Sequence, residues 1–335
     1  MKRALSIAPI ALIIAAAGDR AGHVMTAADH VAHMAAAGNI HAAHAIEEAK
    51  WAARQAAPAT TSLPADDMGA AARLASSPRK GENVKIDVGG TPMHTWVVRP
   101  AGNGRAPVVV VIQEVFGLSD WIRGVADQLA GEGFIAVAPD LLSGKGPGSG
   151  DSSSFGGQQE MVKATLSLQP PEILARLKAA RDWALKQPRA NGKSATVGFC
   201  FGGNQSFAMA VAEPSLNAAV VYYGTAPTDA PAVGGGRGAA GGGAPPPFVP
   251  SDALKAIKAP VLGLYGGLMQ DARIGNTIAA TEMKMKELGK VYEPHVFDGA
   301  AHGFLRAQTG NEGANMRASQ QAWPLTVGWL KKYTS

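Results

Sequence analysis

The sequence contains a single cysteine, Cys200, among its 335 residues. One cysteine cannot form a disulfide within the chain, which excludes a small extracellular scaffold held together by disulfides. Charged residues make up only 17% of the chain, and the net charge of +5 comes from scattered basic residues. Without a basic block, nucleic-acid binding is not favoured. The hydrophobic share of 46% is enough to bury the core of one large domain.

Residues 1–18 have the features of a secretory signal. Lys2 and Arg3 precede an apolar run that closes in small residues at 15–18. The run is shorter than the ~20 apolar residues that a spanning helix needs, so an uncleaved anchor is the weaker alternative. We therefore expect export to the periplasm or the medium, with no stable membrane span after cleavage. Intact mass spectrometry should find a mature chain that begins between Ala17 and His23.

Residues 19–80 form an alanine-rich leader, which we expect to be peripheral or partly disordered. The leader holds five of the eight histidines, which are His23, His30, His33, His41 and His44. Two pairs of them have the i, i+3 spacing of one helical face, so a metal site is conceivable. No carboxylate or thiol completes a convincing ligand set. We predict neither a metal nor a cofactor.

Residues 81–335 alternate between strand and helix patterns. Strands are predicted at 84–88, 93–98, 107–112, 134–138, 195–197, 218–222, 261–265 and 292–297, and helices at 120–131, 171–187, 204–212, 274–288 and near 320–332. Residues 107–112 are a continuous β-branched run, typical of a strand covered on both faces. The alternating order of predicted strands and helices favours a three-layer α/β fold with a mostly parallel sheet. Glycine and proline runs within 225–250 indicate a surface insert, with a partial lid as the alternative.

Cys200 lies between Gly198 and Gly202, directly after the predicted strand at 195–197. The G-x-C-x-G spacing is typical of a nucleophile elbow, a turn so sharp that only very small neighbours avoid a clash. A lone cysteine is commonly a small buried hydrophobic residue, so the motif by itself favours a catalytic cysteine and a structural one about equally. Asp271 and His302 follow in the order nucleophile, acid, histidine, which favours a triad of the α/β-hydrolase kind.

In such a triad His302 takes the proton of the thiol, and Asp271 orients the imidazole. Asp298, four residues before His302, is an alternative orienting carboxylate, although its position favours a turn at the end of a strand. We expect the backbone N–H groups of Phe201 and Val115 to form the oxyanion hole, because one follows the nucleophile and the other follows an early strand.

Five segments together resemble the dienelactone hydrolase family over roughly residues 84–333. They are EVFG at 114–117, the elbow GFCFGG, YYG at 222–224, DARI at 271–274 and AHGF at 301–304. The resemblance implies an α/β-hydrolase fold and carboxymethylenebutenolidase-like hydrolysis of an ester or lactone. It assigns the triad to Cys200, His302 and Asp271.

The resemblance also implies roles outside the triad. Glu114 would contact the resting nucleophile and compete for its proton, Arg306 would bind a substrate carboxylate, and Tyr223 would contribute to substrate binding. One departure weakens the anion-binding role. The family's prototype has an arginine and a tyrosine shortly after the segment that matches 139–141, whereas this chain offers only Lys145 there.

We predict a monomeric hydrolase whose partner is a small-molecule ester or lactone. An esterase, thioesterase or peptidase of the same fold would keep the triad and act on a neutral substrate. A non-catalytic binding module would have the three triad side chains out of mutual reach. A panel of activated esters, lactones and thioesters would separate these alternatives.

Overall fold

A computed structural model of the chain describes residues 62–229 and 248–335. The predicted signal, the five leader histidines and residues 230–247 of the insert lie outside the described residues. Within the part described, no helix combines the length and the apolarity that crossing a bilayer requires.

An eight-stranded sheet forms the centre of the fold. Its strands are β1 (Glu82–Val88), β2 (Thr91–Val98), β3 (Ala106–Ile112), β4 (Ile135–Pro139), β5 (Ala190–Phe199), β6 (Ala218–Tyr222), β7 (Val261–Gly266) and β8 (Tyr292–Phe297). Their spatial order is β1-β2-β4-β3-β5-β6-β7-β8. β2 is antiparallel to both of its neighbours, β1 and β4, and all the other neighbouring strands are parallel.

The helices of the described residues are α1 (Ala70–Ser76), α2 (Asp120–Gly131), α3 (Gln158–Ser167), α4 (Pro170–Leu185), α5 (Phe201–Ala212), α6 (Ala272–Glu287) and α7 (Ala314–Thr334). Residues 108–111 of β3 are all valines with no exposed surface. Consecutive strand residues point to opposite faces of a sheet, so both faces are covered here. The predicted α/β fold with a mostly parallel sheet is confirmed.

Three differences between the structure and the sequence-based elements concern α3, β5 and α7. α3 was not predicted, because Thr165 is its one buried residue and it has no apolar stripe to detect. β5 begins at Ala190 instead of 195, since that residue pairs with Ala106 of β3. α7 begins at Ala314, directly after the left-handed Gly313, and not near 320.

The last part of the predicted leader, residues 62–80, lies against the body that contains the sheet. α1 packs against α2. Arg79 donates two hydrogen bonds to the Asp127 carboxylate of α2, at 3.1 and 2.7 Å. The Asp67 N–H donates to the Arg306 carbonyl at 2.9 Å. This segment is therefore held by directed contacts.

The two described ends of the insert lie side by side. Thr228 and Pro250 form an antiparallel bridge, and the Ser251 hydroxyl donates to Asp229 at 2.6 Å. The insert therefore leaves and re-enters the body at one place, as a surface insertion does.

The elbow depends on a close backbone approach. A Cβ on Gly198 would overlap the Gly202 carbonyl, and a Cβ on Gly202 would overlap the carbonyls of Ile112 and Gln113 at the end of β3. Both positions therefore require glycine. Cys200 lies between them with φ of 55°, a left-handed conformation that costs energy for any residue with a side chain.

We predict that Gly202→Ala lowers the free energy of unfolding by about 2 to 3 kcal/mol, because the added methyl group must displace backbone. Urea denaturation measures the change. The matched control is Gly328→Ala in α7, where the added Cβ meets nothing within 4 Å. This control should be neutral or gain about 0.5 to 1 kcal/mol. Equal stability of both variants would contradict the close-contact account.

Candidate active site

The predicted site residues meet at the carboxyl edge of the sheet. Glu114 follows β3, Cys200 follows β5, Tyr223 follows β6, Asp271 follows β7 and His302 follows β8. The four strands from β5 to β8 are parallel neighbours, and β3 lies beside β5. Ligand sites of open α/β sheets lie at this edge.

Cys200 occupies the N-cap of α5, with φ 55° and ψ −113°. Its N–H donates to the Tyr222 carbonyl at 3.1 Å, and its carbonyl accepts from the Asn204 N–H at 3.2 Å. The side chain is partly exposed. The thiol therefore stands at the positive end of a helix, where unpaired N–H groups favour a negative charge.

His302 lies between the thiol and a carboxylate. Its Nδ1 is 2.7 Å from Asp271 Oδ2, and Asp271 is only 7% exposed. Burial alone would lower the pKa of His302, but hydrogen bonds with Asp271 and with the Cys200 side chain outweigh it and raise the pKa to about 9. Asp298 is exposed at the end of β8, so the carboxylate that contacts the imidazole is Asp271.

Glu114 contacts Arg306 in this structure. Glu114 Oε2 lies 2.8 Å from Arg306 Nε. The N–H of that nitrogen is not directed at an acceptor, so the contact is an ion pair without good hydrogen-bond geometry. No hydrogen bond joins Glu114 to Cys200 in residues 62–229 and 248–335. The structure therefore pairs Glu114 with the arginine, whose charge partly offsets the cost of a buried carboxylate, and the contact with the nucleophile that the resemblance implied stays a prediction.

Burial raises the pKa of Glu114 to about 7, while the nearby charges of Arg306 and His302 oppose the rise. The carboxyl is 3% exposed. Its charge therefore changes near neutral pH, beside the triad.

Tyr223 packs beneath the imidazole. Its ring centroid lies 5.0 Å from that of His302, and the side chain is fully buried. Its φ of 37° is positive, as is that of Cys200, which is uncommon for residues other than glycine. Burial, together with the neighbouring Glu114, raises the pKa of Tyr223 well above its ordinary value. The hydroxyl is buried and has no hydrogen-bond partner among the described residues.

Phe201 and Val115 lie on two segments that touch. Phe201 is the first residue of α5, so its N–H has no acceptor within the helix. The next residue, Gly202, abuts the chain at the end of β3, three residues before Val115. The Thr165 hydroxyl of α3 donates to the Val115 carbonyl at 3.1 Å and fixes that segment.

Asp140 is a buried site-edge residue that the sequence did not single out. Its carboxylate accepts from the Leu142 N–H and the Ser152 N–H at 2.9 Å each, and from the Ser152 hydroxyl at 2.6 Å. Burial raises its pKa. The Ser152 hydroxyl also accepts from the Leu118 N–H at 3.1 Å. Asp140 thus ties the loop after β4 to the chain after β3, and its one sequence signal is a carboxylate directly after a buried strand.

The fold, and the imidazole between an elbow thiol and a carboxylate, are those of an α/β-hydrolase. Residues 93–334 match the model of the dienelactone hydrolase family. The chain therefore belongs to the dienelactone hydrolase family, as the sequence resemblance indicated, and it is a hydrolase.

Similar proteins include a "Putative carboxymethylenebutenolidase" of Salmonella typhimurium, 28% identical over 278 residues that cover 82% of this chain and 92% of the relative. A protein of the same name from Methylorubrum extorquens is 30% identical over 250 residues, which cover 74% of this chain and 77% of that one. The crystal structure of a "Putative Dienelactone Hydrolase" from Klebsiella pneumoniae has a TM-score of 0.63 and 25% identity, and the match covers 77% of this chain and all of that chain.

We predict that the His302 ring titrates near pH 9 and that Asp271→Asn moves its titration down toward the ordinary value of 6.5. Losing the carboxylate removes a partner that stabilises the charged ring, so the sign of the shift is downward. NMR titration of the imidazole measures it. Asp298→Asn is the matched control and should leave the titration in place. A larger shift in the Asp298 variant would assign the orienting role to the other carboxylate.

Proposed function

We propose that the chain hydrolyses an ester or a lactone through a Cys200–His302–Asp271 triad and an acyl-enzyme intermediate, acting as a monomer. The observation that carries the proposal is the setting of His302, whose Nδ1 lies 2.7 Å from Asp271 Oδ2 and whose pKa is raised by both Asp271 and the Cys200 side chain. A binding module without catalysis would have no need for this arrangement on a strained elbow.

We take the attacking species to be the Cys200 thiolate, stabilised by the charged imidazole of His302, whose pKa is raised to about 9. The thiolate attacks the carbonyl carbon and forms a C–S bond. As the tetrahedral intermediate collapses, the C–O bond to the leaving group breaks, and His302 gives its proton to the departing oxygen. Asp271 holds the ring in one orientation throughout.

Water then attacks the thioester, with neutral His302 accepting its proton. The C–S bond breaks, the acid product leaves and the thiolate is restored. The oxyanion of each step would be bound by the Phe201 and Val115 N–H groups, and removal of one such donor typically costs about 10²- to 10³-fold in rate. We propose that Tyr223 contributes to substrate binding through its position beside His302, where the ring centroids are 5.0 Å apart.

The substrate class rests on the family and on the relatives' names. Carboxymethylenebutenolidase names a hydrolase of a lactone, and a lactone is an internal ester, so the same attack on carbon opens its ring. Glu114 would govern the charge beside the thiolate near neutral pH, because its own charge changes there.

We also propose that the protein is exported to the periplasm or the medium. The support is the basic pair Lys2 and Arg3 followed by an apolar run that closes in small residues at 15–18.

We predict that Cys200→Ala abolishes hydrolysis of para-nitrophenyl acetate and of a simple lactone while the protein stays folded, because the side chain is the nucleophile and has little volume. Cys200→Ser should keep measurable activity, since the hydroxyl occupies the same place beside the same base. Steady-state kinetics with circular dichroism as the folding control measure both. Unchanged turnover in a folded Cys200→Ala variant would refute the proposal.

A further inference from the structure

The two cations that the sequence offered for a substrate carboxylate both contact carboxylates of the protein itself. Lys145 Nζ lies 2.9 Å from Glu172 Oε1. Arg306 contacts Glu114 through Nε and Asp67 through Nη1. A substrate anion would have to displace one of these internal carboxylates.

Asp67 comes from the segment before the region that matches the family model, which begins at residue 93. Its Oδ2 lies 3.3 Å from Arg306 Nη1, and its N–H donates to the Arg306 carbonyl at 2.9 Å. A third contact holds the same segment, because Gln308 Nε2 donates to the Pro64 carbonyl at 2.9 Å. These contacts position the Asp67 carboxylate at the arginine.

The Arg306 guanidinium is contacted on several sides. Besides the two carboxylates, the Phe116 ring lies against it, with 5.0 Å between the guanidinium carbon and the ring centroid. The side chain is 26% exposed, whereas Asp67 is 52% exposed. Asp67 is thus the solvent-side partner of the arginine and Glu114 the buried one. An anion that approached from solvent would meet the negative charge of Asp67 first.

We infer that Asp67 is a specificity-determining residue that occupies Arg306 and makes this hydrolase select uncharged esters or lactones over carboxylate-bearing ones. The inference rests on the proposed function, whose nucleophile and base it leaves as they are. Arg306 then serves the protein's own Glu114 instead of a substrate carboxylate. The chain's lack of the family prototype's second arginine agrees with this selection.

The test compares two substrates that differ in one charge, the para-nitrophenyl monoester of succinic acid and its methyl ester. Wild-type protein should have the higher kcat/KM for the neutral methyl ester. Asp67→Asn should raise the charged-to-neutral ratio of kcat/KM about fivefold, the upper range for an exposed ion pair. Asp66→Asn removes a charge from the neighbouring position, where the carboxylate accepts from the Gly69 N–H and not from Arg306, and it should leave the ratio as in wild type.

A second measurement does not need turnover. Cys200 is the one cysteine of the chain, so alkylation reports on this site alone. The alkylation rate with each reagent is first divided by the rate of the same reagent with glutathione. The ratio of the corrected iodoacetate rate to the corrected iodoacetamide rate should rise in Asp67→Asn and stay as in wild type in Asp66→Asn.

The outcomes separate the two claims. If the wild-type protein hydrolyses neither ester through Cys200, the proposed function is refuted, and the alkylation ratio still decides the role of Asp67. Hydrolysis through Cys200 with equal ratios in both asparagine variants, or a wild-type preference for the charged ester, would overturn the role of Asp67 alone.

Discussion

The close backbone contact between the elbow and the end of β3 is the constraint on which the site depends. Gly202 can touch the carbonyls of Ile112 and Gln113 because it has no side chain, and Gly198 can approach Gly202 for the same reason. This contact brings the start of α5 against the segment that leads to Val115. It also forces Cys200 into a left-handed conformation, which stores strain in the fold and presents the thiol above the sheet edge.

Two ionisable pairs, Asp271–His302 and Glu114–Arg306, lie at the carboxyl edge of the sheet, and their pKa values shift for different reasons. The Asp271–His302 pair favours the charged ring, so the pKa of His302 rises although burial opposes it. Glu114 is buried more deeply, and its contact with Arg306 only partly offsets the cost, so its pKa rises toward neutrality. The His302 imidazole is thus charged at neutral pH, while the neighbouring Glu114 carboxyl changes its charge there. The same arginine meets Asp67 from a segment that precedes the family region, which links residues 62–80 to the site.

Sequence patterns predicted the sheet, and the positions of Cys200, Asp271 and His302 after its strands, because both depend on local signals. The buried β-branched run of β3 and the glycines around Cys200 are readable one segment at a time. The helix α3 could not be predicted from the sequence, since it buries almost no side chains and so has no apolar stripe. The contact between Asp67 and Arg306 was also missed, because it joins residues 239 positions apart and depends on how the leader folds back. The pair of Glu114 and Arg306 was missed as well, because these residues also meet only in the folded chain.

The central claim is that Cys200 carries the acyl group during turnover. The most direct measurement is peptide mass mapping of protein quenched during hydrolysis of a para-nitrophenyl ester whose acyl-enzyme deacylates slowly. The account predicts an acyl adduct on the peptide that contains Cys200, present only while substrate remains and missing from the Cys200→Ala variant. An adduct on another residue, or full turnover without any adduct on Cys200, would contradict it.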